Sequence, residues 1–137
     1  MGKGELMRPF ACDGILIENG KILLIRRAKE PDKEKWAVPG GRIEENETAE
    51  ECLKREFREE TGIEIEPVKL FGIYSDPARD PRKIIGAAYI VKKTGGELKA
   101  GDDAGEAEWF GIENIPEELA FDHKKIIEDA LRIPVPR

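Results

Sequence analysis

The stretch from Thr48 to Gly62 constrains this chain most, because it writes a helix whose acids fall on the side that should be apolar. Thr48 followed three places later by Glu51 is a capping-box pattern that satisfies the orphan amides at a helix start. Gly62 supplies a left-handed stop, so the helix is predicted over Ala49–Thr61. With Glu56 at zero and about 100° per residue, Ala49, Cys52, Leu53 and Phe57 occupy one arc from about −40° to about +100°. Glu56 lies inside that arc, Glu60 falls at about +40°, and Glu59 sits on its edge at about −60°. Glu50, Glu51, Lys54 and Arg58 keep to the other face, as charged residues ordinarily do.

Pairs four apart explain part of this charge: Glu50 with Lys54, Glu51 with Arg55, and Arg55 with Glu59. They do not explain Glu56 and Glu60, like charges four apart with Glu59 between them. Gathering such groups away from water costs free energy, and a divalent cation removes that cost. Hard carboxylate oxygens are the donors that Mg²⁺ or Mn²⁺ takes. Upstream, Pro39-Gly40-Gly41-Arg42-Ile43-Glu44 reads as a loop whose glycines let backbone approach a ligand. Joined to the acidic helix, it reads as the wall of a phosphate–metal site.

The rest of the chain supplies strands and one more helix. Phe10–Ile17 and Lys21–Ile25 are apolar runs joined through Asn19-Gly20, a strong hairpin signal. Trp36–Val38 is a short extended piece, and Glu64–Tyr74, Lys83–Lys92 and Ala107–Phe110 read as strands. Asp122–Leu131 has helical spacing. Strands flanking a central helix, with a second helix near the end, imply an α/β fold of α+β type, with a mixed sheet between helices.

The length of 137 residues fits one domain over residues 1–137. Lys and Arg number 23 against 29 Asp and Glu, a net charge of −6 that argues against a nucleic-acid partner. No apolar run is long enough to span a membrane, and Met1–Pro9 lacks a signal-peptide core, so a cytoplasmic location is expected. Cys12, Cys52 and the lone His123 do not make a zinc site, and both cysteines read as buried small hydrophobes.

Taken together, Gly41, Glu47, Arg55, Glu56, Phe57, Glu59, Glu60, Gly62 and Ile63 resemble the 23-residue signature of the Nudix hydrolases, with every spacing kept. Phe57 stands where an aliphatic residue is more usual. The resemblance implies an α/β/α sandwich and hydrolysis of a nucleoside diphosphate linked to another group. It implies that Glu56, Glu59 and Glu60 carry divalent metal, Mg²⁺ or Mn²⁺, with a carbonyl of Gly40 or Gly41 as a further donor. Arg55 would hold a helix glutamate in place and Glu47 would brace the loop. The base that takes the proton from water is sought on the loop 99–106, with Glu106 ranked before Asp103 and Asp102.

Pro77, fifteen places after Gly62, is similar to the mark of the ADP-ribose pyrophosphatase subgroup. The run 74–82, Gly101-Asp102-Asp103-Ala104 and Phe121-Asp122-His123 also look like members of that group. The substrate implied is ADP-ribose or a related ADP-sugar, cleaved to AMP and ribose 5-phosphate. The alternatives are a nucleoside triphosphate or dinucleoside polyphosphate pyrophosphohydrolase, and a non-catalytic nucleotide-binding regulatory domain. Arg26, Arg27, Arg79 and Arg82 are candidates for gripping phosphate or ribose, since guanidinium forks match such groups. Gly41 is placed beside substrate, and Tyr74, with Phe10, Phe71 and Trp109, is an aromatic candidate for stacking on adenine. His123 is expected to cap or orient the last helix, with a substrate contact as the alternative. The resemblance also favours a homodimer.

Overall fold

The computed structural model describes residues 7–99 and 104–134. Strand β1 (Phe10–Glu18) turns through Asn19 and Gly20, both at positive φ (52° and 75°), into β2 (Lys21–Arg27). That backbone matches the twist of the two strands and is why Asn-Gly serves there. A short β3 (Trp36–Ala37) follows, then β4 (Gly40–Arg42), α1 (Ala49–Thr61), β5 (Ile63–Tyr74), β6 (Ile85–Gly96), β7 (Ala104–Gly111) and α2 (His123–Leu131). One-turn 3₁₀ helices cover Pro77–Arg79 and Ile112–Asn114.

The sheet runs β3-β2-β1-β6-β5, with β7 on β2 and β4 on β1. Only the β1–β6 pairing is parallel among the described strands, so the sheet is mixed as expected. β1 is the strand that matters for the site. Its first half pairs with β4 (Ala11 to Asp13) and its end pairs with β2 (Ile17 and Glu18), so the sheet forks along one edge of β1.

Alternation along β1 and β6 sorts side chains to the two faces. Cys12, Leu16, Ala87, Tyr89 and Val91 pack with Cys52, Leu53 and Phe57 of α1. Ile15, Ile17, Ala88 and Ile90 pack with Ile126, Ile127 and Ala130 of α2. Phe57 is accommodated because Gly14 lies under its ring, where a methyl group would collide with Cε1. The capping box is formed at both bonds, Glu51 amide to Thr48 Oγ1 (3.1 Å) and Thr48 amide to Glu51 Oε1 (2.9 Å). Gly62 closes the helix at φ 76°.

Three expectations change. Gly40–Arg42, read as loop, is strand β4, because β1 has an open edge there to pair with. β6 continues past Lys92 through Gly96, held by pairing to the start of β5. β7 begins at Ala104 rather than Ala107, paired against Arg27 across a register shift. No helix among the described residues is long and apolar enough to cross a membrane.

Candidate active site

A cleft of about 490 Å³ opens where β4 and β2 diverge from β1. Glu56 and Glu60 of α1 line it together with Gly40 and Gly41, so the helix acids and the glycine pair do meet. Glu60 is only 7% exposed, and its Oε1 accepts the Gly40 amide at 2.9 Å. The Glu56 carboxylate lies over Gly41, where any β-carbon would overlap it. Glu59 is half exposed, as its position on the edge of the arc predicts, and the cleft lining does not include it.

Arg55 organises these acids. Its Nη1 donates to Glu56 Oε2 (3.0 Å) and Glu59 Oε1 (3.1 Å). Its Nε and Nη2 fork onto Glu47, and Nη2 also donates to the Arg42 carbonyl at 3.1 Å. Glu47 in turn accepts the Glu44 amide, so the loop after β4 is pinned to the helix. Hydrogen bonding from Arg55 holds the Glu47 carboxyl down at about 2. Among the described residues no three acids, histidines or cysteines already stand as a ligand set. Arg55 holds Glu56 toward Glu59, while Gly40 holds Glu60. The donor chemistry nevertheless suits a hard divalent ion, because anionic oxygens of Glu56 and Glu60 reach one cleft beside a bare glycine backbone. The Gly41 carbonyl faces Cys52 Sγ at 3.4 Å, which leaves Gly40 as the better placed backbone donor of the pair.

Arg27 and Arg82 also line the cleft, and both guanidiniums pack on the Phe121 ring, at 4.9 and 5.3 Å from its centroid. Burial, then the charge of Arg82, pulls the Arg27 pKa down. Two cations gathered on one ring favour an anion between or beside them. Arg82 is steadied by a forked pair to the buried Asp80.

Other candidates are placed differently. Arg79 borders the cleft, but its fork closes on Asp122 at 2.7 and 2.8 Å and its side chain is 5% exposed, so it braces the fold there. Arg26 reaches outward to Glu106 (2.9 Å) and Glu34, outside the cleft lining. Glu106, expected as the base, is thereby held in an exposed ion pair on β7. Tyr74 donates to Asp129 at 2.7 Å and packs in the cluster under α2, away from the cleft, because β5 carries it to the sheet's outer edge. Asp102 and Asp103 lie outside the described residues. His123 does not cap α2. Its Nδ1 accepts the Val38 amide at 3.1 Å, and burial holds its pKa down at about 4, so the ring is neutral.

Sequence reasoning missed Asp13. It lies 8% exposed on the α2 side of β1 and lines the cleft, and burial, partly offset by Arg79, raises its pKa to about 7. A lone acid inside an apolar strand was the available signal, since buried polar groups need a partner.

Comparison with known proteins agrees with this geometry. A family model, the NUDIX domain, matches residues 7–130. The chain is 52% identical over 123 residues to an ADP-ribose pyrophosphatase of Methanocaldococcus jannaschii, covering 89% of this chain and 72% of that protein. A MutT/nudix family protein from Enterococcus faecalis superposes with a TM-score of 0.82 at 29% identity, over 95% of this chain and 63% of that one. A bifunctional NMN adenylyltransferase/ADP ribose pyrophosphatase from Francisella tularensis, complexed with AMP and a manganese ion, gives a TM-score of 0.80 at 27% identity. That match covers 93% of this chain and 42% of the larger protein.

Proposed function

Since this chain belongs to the Nudix family, a relationship that residues 7–130 carry, we propose that it hydrolyses the diphosphate bond of ADP-ribose, or a closely related ADP-sugar, to AMP and ribose 5-phosphate. The observation that carries this reading is the meeting of Glu56 and Glu60 with Arg27 and Arg82 in one cleft. Acids alone would hold a metal; acids and guanidiniums together suit a metal-bound diphosphate. The 52% identity to an ADP-ribose pyrophosphatase supports the choice of substrate.

In this reading Glu56 and Glu60, with Glu59 and the Gly40 carbonyl, would hold Mg²⁺ or Mn²⁺. When bound, the ion neutralises the diphosphate, acidifies a coordinated water and stabilises the leaving phosphate. Arg55 sets the direction of Glu56 and Glu59, and Glu47 fixes Arg55. Arg27 and Arg82 bind the phosphates, and both guanidiniums are held against the Phe121 ring. Water attacks one phosphorus, the bridging oxygen leaves with the other phosphate, and no covalent intermediate is needed. The free, buried Cys12 and Cys52 suit a cytosolic enzyme and a single domain without disulfides.

A panel of ADP-ribose, other ADP-sugars, nucleoside triphosphates and dinucleoside polyphosphates, assayed with Mg²⁺, tests the proposal. ADP-ribose is expected to give the highest kcat/KM, with AMP and ribose 5-phosphate in equal amounts. A clear preference for a triphosphate overturns it.

A further inference from the structure

Two polar side chains in the cleft have no part in the chemistry above. Asp13 is 8% and His123 5% exposed, and both line the cleft. Among the described residues no group hydrogen-bonds to the Asp13 carboxylate, and His123 has one such bond, at Nδ1. Because the Val38 amide donates to Nδ1, the ring proton resides on Nε2, which makes Nε2 a fixed donor. No buried side-chain nitrogen or oxygen among the described residues lacks a partner. The Asp13 oxygens and His123 Nε2 therefore reach open space, and the space they border is the cleft.

Both groups line the same cleft, on the side toward α2. Asp13 projects to the α2 face of β1, as Ile15 and Ile17 do, and His123 begins α2. Arg79 ties them together: it approaches Gly86 from the same side as Asp13 Oδ2, and its fork ends on Asp122, the neighbour of His123. Arg79 has committed its fork, so Asp13 and His123 offer their part of the cleft two carboxyl oxygens and one rigid neutral donor, beside the guanidiniums of Arg27 and Arg82. An ionised phosphate has no proton to give the Asp13 oxygens. A hydroxyl both donates and accepts, and two adjacent hydroxyls would answer both groups. Asp13 also touches Gly40, whose amide holds Glu60, so this part of the cleft adjoins the diphosphate-binding acids. The group that follows a diphosphate in the substrate is a ribose, and a base lies one sugar further away.

We infer that Asp13 and His123 read the vicinal diol of a ribose next to the diphosphate, and so determine specificity for the sugar. The inference rests on the ADP-ribose reading above. Its test is metal-free equilibrium binding by calorimetry, which excludes turnover, with ADP-ribose and two analogues. One analogue lacks the 2-hydroxyl of the terminal ribose, the other the 2′-hydroxyl of the adenosine. The wild type is expected to bind one analogue roughly tenfold to a hundredfold more weakly than ADP-ribose, which also identifies the ribose that is read. In Asp13→Ala and in His123→Asn that ratio should shrink toward one. Asparagine can still accept the Val38 amide while removing the Nε2 donor, so the fold is kept, as thermal melting will show. Should Asp13→Ala not fold, Asp13→Asn gives the reading, since its amide offers one acceptor in place of two. Wild type that binds all three ligands equally, or variants that keep the wild-type ratio, overturn the inference while the ADP-ribose reading stands. Wild type that neither binds ADP-ribose here nor hydrolyses it with Mg²⁺ overturns both; where hydrolysis occurs without measurable metal-free binding, the same ratios are read from kcat/KM with Mg²⁺ and decide in the same way.

Discussion

The carboxylate of Glu56 rests on the bare α-carbon of Gly41, which joins the helix acids to strand β4 with no side chain between them. A methyl group there would meet the far end of a flexible side chain rather than backbone, so the fold can absorb it by moving Glu56. Gly41→Ala is therefore expected to lower kcat on the order of a hundredfold, the scale of a lost electrostatic contact in a transition state. Its melting temperature should stay within a few degrees of wild type. Steady-state kinetics and thermal melts on one preparation check both halves.

Glu47 gives a pH signature. Its folded pKa lies near 2 because Arg55 hydrogen-bonds to the carboxylate, against an ordinary value of 4.5. A depressed carboxyl binds fewer protons folded than unfolded, so its stabilisation is complete above about pH 4.5 and disappears as the pH falls toward 2. Urea midpoints of wild type and Glu47→Gln should differ at pH 6 and converge as the pH is lowered through that window. A gap that stays constant with pH contradicts the assignment.

The helix was legible in the sequence because its cap, stop and amphipathic period agree, and each of its acids sits where the projection puts it. Glu60 is buried, Glu56 nearly so, and Glu59 half exposed. Strand β4 was not legible: three residues of Gly-Gly-Arg carry no period, and only the open edge of β1 makes them a strand. The arginines divided for a similar reason. Nothing local distinguishes Arg79 from Arg82, four residues of chain around one turn. The distant Asp122 captures the first, while Asp80 and Phe121 hold the second at the cleft. Long-range partners decide such cases, and a single sequence does not name them.

Glu106 was the leading candidate for the base on reach alone. Its ion pair with Arg26 and its place outside the cleft lining argue against that role. Glu106→Gln is expected to change kcat by less than about threefold, because exposed pairs contribute little. A loss of a hundredfold or more would restore it as the general base.

Arg27 is expected to act in binding more than in the chemical step. Arg27→Gln should raise KM for ADP-ribose by roughly tenfold with a smaller change in kcat, the mark of a contact made equally in ground and transition states. A fall in kcat at unchanged KM would instead place Arg27 on charge that develops during the reaction.

Buried like charges on α1 call for a doubly charged cation to offset them. Titration of the protein with Mn²⁺, followed by the paramagnetic signal of the free ion, tests it without any substrate. Wild type should take up the ion, and Glu56→Gln and Glu60→Gln should each weaken uptake by at least tenfold while melting as folded proteins. Uptake that is the same in all three proteins, or missing from wild type, means that no cation offsets Glu56 and Glu60.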